Sequence, residues 1–174
     1  MKYFLRGLIL FFLVIFTSLA HAEDIKVYFS PNGGCQEAIL TEIKKAHTSI
    51  DIAMYAFTSR DIAQALLDAK DRHVKIRITL DTAQIKDHFS KSKYLIGKGF
   101  NLKFRMGPGL MHDKFAVIDD RVVLTGSFNW TGSAEKKNSE NLLVISDKGI
   151  AGKFTKQFKH LWSESGEVQL KDKN

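Results

Sequence analysis

Cysteine is almost absent from this chain: Cys35 is the only one in 174 residues. No disulfide can therefore form within the molecule, and the thiol reads as a small buried hydrophobe, with a bridge to another chain as the alternative. Metal-binding patterns are missing too. There is no HExxH, no HxH and no aspartate cluster of nuclease type, so neither a metal nor a cofactor is expected. Internal repeats and low-complexity tracts are lacking, which leaves an ordinary globular domain as the expectation. Past the first twenty residues there is no long apolar run and no amphipathic membrane helix, so no stable membrane association is expected of the mature chain.

The N-terminus is the exception. Lys2 and Arg6 precede an apolar stretch of 13 residues from Gly7 to Leu19, and Ala20-His21-Ala22 follows. That is the layout of a secretory signal peptide with an A-x-A cleavage site, and its apolar part is shorter than the roughly 20 residues a spanning helix needs. The reading is a signal peptide over 1–22, a single domain over 23–174, and a periplasmic or secreted location. Removing Lys2 and Arg6 from the 26 basic side chains leaves 24 against 19 acidic ones, a mature net charge of about +5. A basic excess of that size favours polyanionic partners through steering and counterion release, although many exported proteins share it without binding nucleic acid.

Along the mature chain, strand and helix patterns alternate. Ile25 to Phe29 reads as a strand, the breaker-rich Ser30-Pro31-Asn32-Gly33-Gly34 as a loop, and Gln36 to Ala46 as a helix with Ala38, Ile39, Ile43 and Ala46 inward. Ser49 to Phe57 is a second strand, Thr58 or Ser59 can cap a helix, and Ile62, Ala65, Leu66 and Ala69 form its stripe. In a third strand Val74, Ile76, Ile78 and Leu80 alternate with Lys75, Arg77 and Thr79, whose basic members read as a solvated face. Asp81 to Gly99 is lysine-rich and contains a helix, and Asn101 to Arg105 is another strand. Phe115 to Ile118, Val122 to Leu124 and Leu142 to Ile145 are apolar at both parities, as strands covered on both faces are. Asp147 can cap a final helix carrying Ile150, Phe154, Phe158, Leu161 and Trp162, and the tail beyond Ser163 reads as polar and frayed. The alternation predicts an α/β layered domain with a mixed sheet. Its centre is antiparallel, because Asp119-Asp120-Arg121 is too short for a crossover.

Residues 111–141 concentrate the chemistry. On a regular strand His112 and Lys114 project together, as do Ser127 and Asn129, while Asp119 points the other way and takes a structural role. An imidazole can attack phosphorus, and an ammonium with neutral donors can stabilise the equatorial oxygens, so the set suits phosphoryl transfer. Glu140 can accept a hydrogen bond from an imidazole N–H and orient it. The blander readings are an interior histidine, a surface lysine, strand-end Ser and Asn, and a strand-end glutamate. A lysine beside a run as apolar as Phe115 to Ile118 argues against them, since it needs a partner or an anion. Trp130 can stack on a base, with core packing as its alternative, and the neighbouring Lys136 and Lys137 can contact phosphates. His47, His73, His88 and His160 lack such company and read as surface or packing residues.

The spacing His112-x-Lys114-x4-Asp119-x6-Gly126-Ser127-x-Asn129 resembles the HKD signature of the phospholipase D superfamily at every signature position. With the leader, the single motif and Asn138-Ser139-Glu140-Asn141 downstream, the chain looks most like the small bacterial EDTA-resistant endonucleases of that superfamily. The resemblance implies an α/β/α sandwich with a mixed central sheet and two HKD motifs facing across a twofold axis. One motif per chain then implies a homodimer, with one His112 as nucleophile and its twin as general acid. The implied activity is metal-independent phosphodiester hydrolysis of DNA, with RNA left open, through a phosphohistidine. Its rivals are a phospholipase using the same motif and a catalytically dead nucleic-acid or phosphate-binding module.

Overall fold

A computed structural model describes residues 24–168. The leader expected over 1–22 and the last six residues lie outside them. Fourteen elements follow one another: β1 (Asp24–Ser30), α1 (Cys35–Lys45), β2 (Ser49–Met54), α2 (Arg60–Asp71), β3 (Lys75–Asp81), α3 (Ala83–Lys86), α4 (Ser92–Gly97), β4 (Asn101–Arg105), β5 (Lys114–Ile118), β6 (Val122–Gly126), α5 (Gly132–Lys136), β7 (Glu140–Ser146), α6 (Lys148–Ser163) and β8 (Ser165–Gly166). The strands form one sheet in the order β1-β7-β6-β5-β2-β3-β4-β8. β2, β3 and β4 are mutually parallel; every other pairing is antiparallel. This is the mixed sheet with an antiparallel centre that the strand spacing predicts.

Helices cover both faces. On one, Ile39 and Ile43 of α1 and Ile62 and Leu66 of α2 join the same core as Ile50, Ile52, Ile78 and Leu80. On the other, Phe158 and Leu161 of α6 pack with Ala53, Phe115, Val117 and Val123. β5 shows why its sequence is apolar at both parities: Ala116 and Ile118 belong to the first cluster, Phe115 and Val117 to the second. Each fully buried Leu or Ile contributes about 1.5–3 kcal/mol, so this double coverage fixes the position of the strand that precedes the candidate site. At the sheet edge, β1 turns Ile25, Val27 and Phe29 to solvent.

Capping matches the side chains available. Ser59 accepts from the Ile62 N–H at 3.3 Å, so the second of the two expected caps is the one used, and Asp147 accepts from the Ile150 N–H. Two expectations need correction. Arg77 is not on a solvated face: its guanidinium grips Asp51 through bonds of 2.8 and 2.6 Å and lies 5.0 Å over the Phe158 ring, because α6 covers that side of β3. The hydrogen bond with Asp51 raises the guanidinium pKa further, against the opposing effect of burial. Nor is the chain frayed directly after Ser163, since Ser165 and Gly166 pair with Arg105 and Phe104 and so close the far edge of the sheet.

Candidate active site

His112 stands at one end of the sheet, where the parallel strands finish. β2 ends at Met54 opposite Lys114, β6 ends at Gly126 opposite Leu142, and β7 starts at Glu140 opposite Ser30. The sequence brings these ends together through a tight hairpin: Asp119 and Asp120 both adopt positive φ (52° and 49°), and the Arg121 N–H donates to the Ile118 carbonyl at 3.0 Å. Aspartate tolerates left-handed backbone better than most residues, so two in succession suit a turn of this hand. Asp119 itself lies at the other end of β5, away from His112. Its carboxylate accepts from the backbone N–H groups of His47, Thr48 and Ser49 at 2.9, 2.7 and 3.0 Å, and from the Thr48 hydroxyl at 2.8 Å. Burial alone raises its pKa, but these bonds outweigh burial and the net shift is downward.

His112 is exposed and Lys114 half-buried. They do not project from one regular strand, because β5 begins only at Lys114; instead the ammonium folds back onto the His112 carbonyl at 2.6 Å. Burial lowers the Lys114 pKa, while Asp113 and Glu140 pull the other way. The residue just before the histidine is pinned too. The Met111 N–H donates to the buried Asp81 carboxylate at 2.8 Å, which ties the incoming loop to the end of β3.

Ser127 and Asn129 follow the end of β6 and part company, so strand parity does not hold there. The Ser127 hydroxyl donates to the Glu140 carboxylate at 2.6 Å, and the other oxygen of Glu140 accepts from the Asn138 amide at 3.0 Å. Glu140 thus holds Ser127 and the Asn138 loop within its own chain, and among the described residues it makes no bond to an imidazole. The Asn129 amide oxygen accepts from the Ala56 N–H at 3.3 Å, one residue from Tyr55. Gly126 has a φ of 150°, and a Cβ there would lie 2.3 Å from the Asn141 carbonyl oxygen, so the close approach of β6 to β7 requires glycine.

A cavity of about 370 Å³ opens beside His112 and Lys114, bounded by Thr125 and Gly126 and, from α6, by Lys153 and Gln157. Lys153 is exposed and brings a second ammonium to the same recess as Lys114, which favours an anion there. A larger recess of about 540 Å³ lies at the opposite end of the strands, among Ser49, Lys75, Arg77, Asp120 and Lys159, and is remote from this chemistry. Trp130 must be removed from the candidate substrate contacts. It is only 1% exposed and meets Phe57 edge-on at 5.2 Å, so no base can stack on it. Lys136 and Lys137 are exposed at the end of α5, a short helix the sequence reading missed. Cys35 is fully buried, and burial first, then Glu135 and Glu140, pushes its thiol pKa up to about 11.

Sequence reasoning also overlooked Tyr55, Asp81 and Lys153. Asp81 was legible in principle, as a lone carboxylate closing an apolar strand. Tyr55 and Lys153 are ordinary in sequence and gain meaning only from their neighbours.

The family model described as "Cardiolipin synthase, PLD-like domain" matches residues 39–162. A protein named phospholipase D from Rickettsia prowazekii is 37% identical over 132 residues, 76% of this chain and 64% of that relative. The human mitochondrial cardiolipin hydrolase is 32% identical over 126 residues, 72% of this chain and 50% of the relative. This chain therefore spans half to just under two thirds of the length of those two relatives. Among solved structures, the phospholipase D family member Nuc from Salmonella typhimurium superposes with a TM-score of 0.80 at 33% identity, covering 84% of this chain and 99% of that one. NucT from Helicobacter pylori gives 0.79 at 26% identity over the same shares. With the family model covering most of the chain and the whole α/β/α architecture shared with Nuc, the chain belongs to the phospholipase D superfamily.

Proposed function

We propose that this protein hydrolyses phosphodiester bonds in DNA without a metal, with RNA left open as a substrate, after export from the cytoplasm. The observation that carries the reading is the recess lined by the exposed His112 together with two lysines, Lys114 and Lys153. In the proposed reaction an imidazole nitrogen of His112 attacks phosphorus, a P–N bond forms and the bond to the leaving oxygen breaks. Lys114 and the Asn129 amide NH2, whose oxygen is the atom held by Ala56, stabilise charge on the equatorial oxygens, and Ser127 joins them once its hydroxyl turns from Glu140 to the phosphate. The leaving oxygen takes a proton from a second imidazole, and water deprotonated by that base then cleaves the P–N bond and restores His112.

One imidazole cannot attack on one side of phosphorus and protonate on the other. The chain carries one such motif, so we place the second His112 on a twofold-related copy in a homodimer. Little sequence preference is expected of a site that contacts the backbone rather than base edges. Plasmid nicking in excess EDTA tests the reading. Wild-type protein should nick, and His112→Asn should not nick while keeping its DNA affinity in fluorescence anisotropy; absence of nicking by the wild type would count against DNA as substrate.

A second reading is favoured by one feature. Met106 and Leu110, on the loop leading to His112, are 51% and 63% exposed, apolar side chains of the kind an acyl chain would cover, and Leu110 lines a recess that also contains His112. Relatives named phospholipase D and cardiolipin hydrolase point the same way. Release of phosphatidic acid from vesicles, with no DNA cleavage, would replace nucleic acid by lipid and leave the His112 chemistry unchanged.

A further inference from the structure

The Tyr55 ring touches both principal groups of the site, and its side chain belongs neither to the motif nor to its side-chain hydrogen bonds. It is the residue after the end of β2, and its N–H donates at 3.0 Å to the carbonyl of Asp113, the residue between His112 and Lys114. That bond extends the β2–β5 ladder by one step and delivers the Tyr55 side chain to the site. The phenol ring centroid is 4.5 Å from that of the His112 imidazole, with the planes inclined at 56°. The Lys114 ammonium nitrogen lies 5.0 Å from the same ring centroid. Both distances fall inside the usual ranges for aromatic pairing and for a cation over a ring.

No hydrogen bond to the His112 imidazole exists among the described residues, and the side chain is exposed. Without a neighbour, such an imidazole rotates among several staggered positions. In-line attack requires a nitrogen held about 3–3.5 Å from phosphorus in one orientation. Among the described residues the one aromatic ring paired with it is Tyr55, whose hydroxyl makes no hydrogen bond there, so the ring rather than the oxygen makes the contact. The same ring offers its electron-rich face to an ammonium whose charge burial disfavours.

We propose that Tyr55 is a positioning residue whose ring confines the His112 imidazole to its attacking rotamer and seats the Lys114 ammonium against the incoming phosphate. This rests on the phosphodiesterase reading above for its kinetic part, but the ring contact can be observed without turnover. Removal of the ring should lower kcat and leave KM nearly unchanged, because Tyr55 acts through His112 and Lys114 rather than by holding substrate.

The test compares Tyr55→Phe with Tyr55→Leu in the mature protein. In proton NMR, the His112 Cε1–H signal, assigned by its disappearance in His112→Asn, should show a ring-current shift in wild type and Tyr55→Phe that Tyr55→Leu abolishes. In turnover of plasmid DNA and of a vesicle phospholipid, Tyr55→Phe should stay within about twofold of wild type, and Tyr55→Leu should lose about 10- to 100-fold in kcat at near-constant KM. Equal impairment of both variants would transfer the role to the hydroxyl and overturn the proposal. So would wild-type kcat in Tyr55→Leu, a loss carried by KM alone, or an unshifted His112 signal in the wild type. An NMR pattern as expected with no turnover on either substrate would sustain the contact while refuting the phosphodiesterase reading.

Discussion

Asp119 belongs to the signature motif by spacing and to the scaffold by position, so its replacement should separate stability from chemistry. One carboxylate oxygen accepts from the His47 N–H; the other accepts from the Thr48 N–H, the Thr48 hydroxyl and the Ser49 N–H. In Asp119→Asn the amide oxygen can replace the second oxygen, but the amide NH2 then faces the His47 N–H, donor against donor. One bond is lost outright and the other three lose the help of a full charge. At about 1 kcal/mol per bond in these partly exposed surroundings, the variant should be destabilised by about 2 kcal/mol. Asp119→Ala loses all four acceptor contacts and places alanine at a φ of 52°, so a loss of about 4 kcal/mol is expected. For a domain of this size 2 kcal/mol corresponds to a fall in Tm of about 4–8 °C.

Urea unfolding across pH gives a further check. The folded-state pKa of Asp119 is depressed, so its contribution is fully present above the unfolded carboxylate pKa and is lost as pH falls through the folded value. The gap between wild type and Asp119→Asn should therefore be constant at neutral pH and narrow in acid. Activity measured well below the melting temperature should fall by no more than a few fold. An unaltered melting curve combined with abolished turnover would refute the scaffold role and move Asp119 into the catalytic machinery.

Two other perturbations have defined outcomes. Gly126→Ala should cost several kcal/mol in urea unfolding and uncouple Ser127 from Glu140, because the added methyl meets the Asn141 backbone carbonyl rather than a side chain that can turn away; a variant with wild-type stability would show that β6 and β7 can separate cheaply. With burial lowering the Lys114 pKa, the ammonium is lost as pH rises through a value below the ordinary lysine 10.5, so the alkaline limb of kcat should fall earlier than an exposed lysine would allow. Lys114→Arg, which stays charged, should shift that limb upward in whatever activity it retains; an unmoved limb would assign it to another group.

The sheet and its two helical layers were readable because their signals are local and repeated. Apolar residues at both parities in Phe115 to Ile118, and helical stripes such as Ile62 to Ala69, follow directly from which faces are covered. Arg77 was misread because alternation reports that two faces differ without telling that α6, over seventy residues later, covers the second. The separation of Ser127 from Asn129 was hidden for a related reason: parity applies within a strand, and β6 stops at Gly126. Trp130 next to a polar motif invited a binding role, yet its backbone bonds to Ala56, Thr58 and Ser59 draw it into the core. The spacing of His112, Lys114 and Asp119 was legible as a motif, whereas the ring of Tyr55 between two of its members depends on a long-range strand pairing.

The pairing of β1 with β7 also sets an order of events in time. Ser30, at the end of the first strand, donates its hydroxyl to the carbonyl of Asn138, 108 residues later. At synthesis rates of about 5–20 residues per second, β1 waits on the order of 5–20 s before its neighbour among the described strands, β7, has been made. During that interval Ile25, Val27 and Phe29 stand beside unpaired backbone groups, a combination that invites pairing with other chains. The strand pairing of longest reach in the sheet is therefore the one that braces Asn138 and Glu140. The first strand of the fold thus reports on the Asn138 loop, because the Ser30 hydroxyl reaches the Asn138 carbonyl only once β1 has paired with β7.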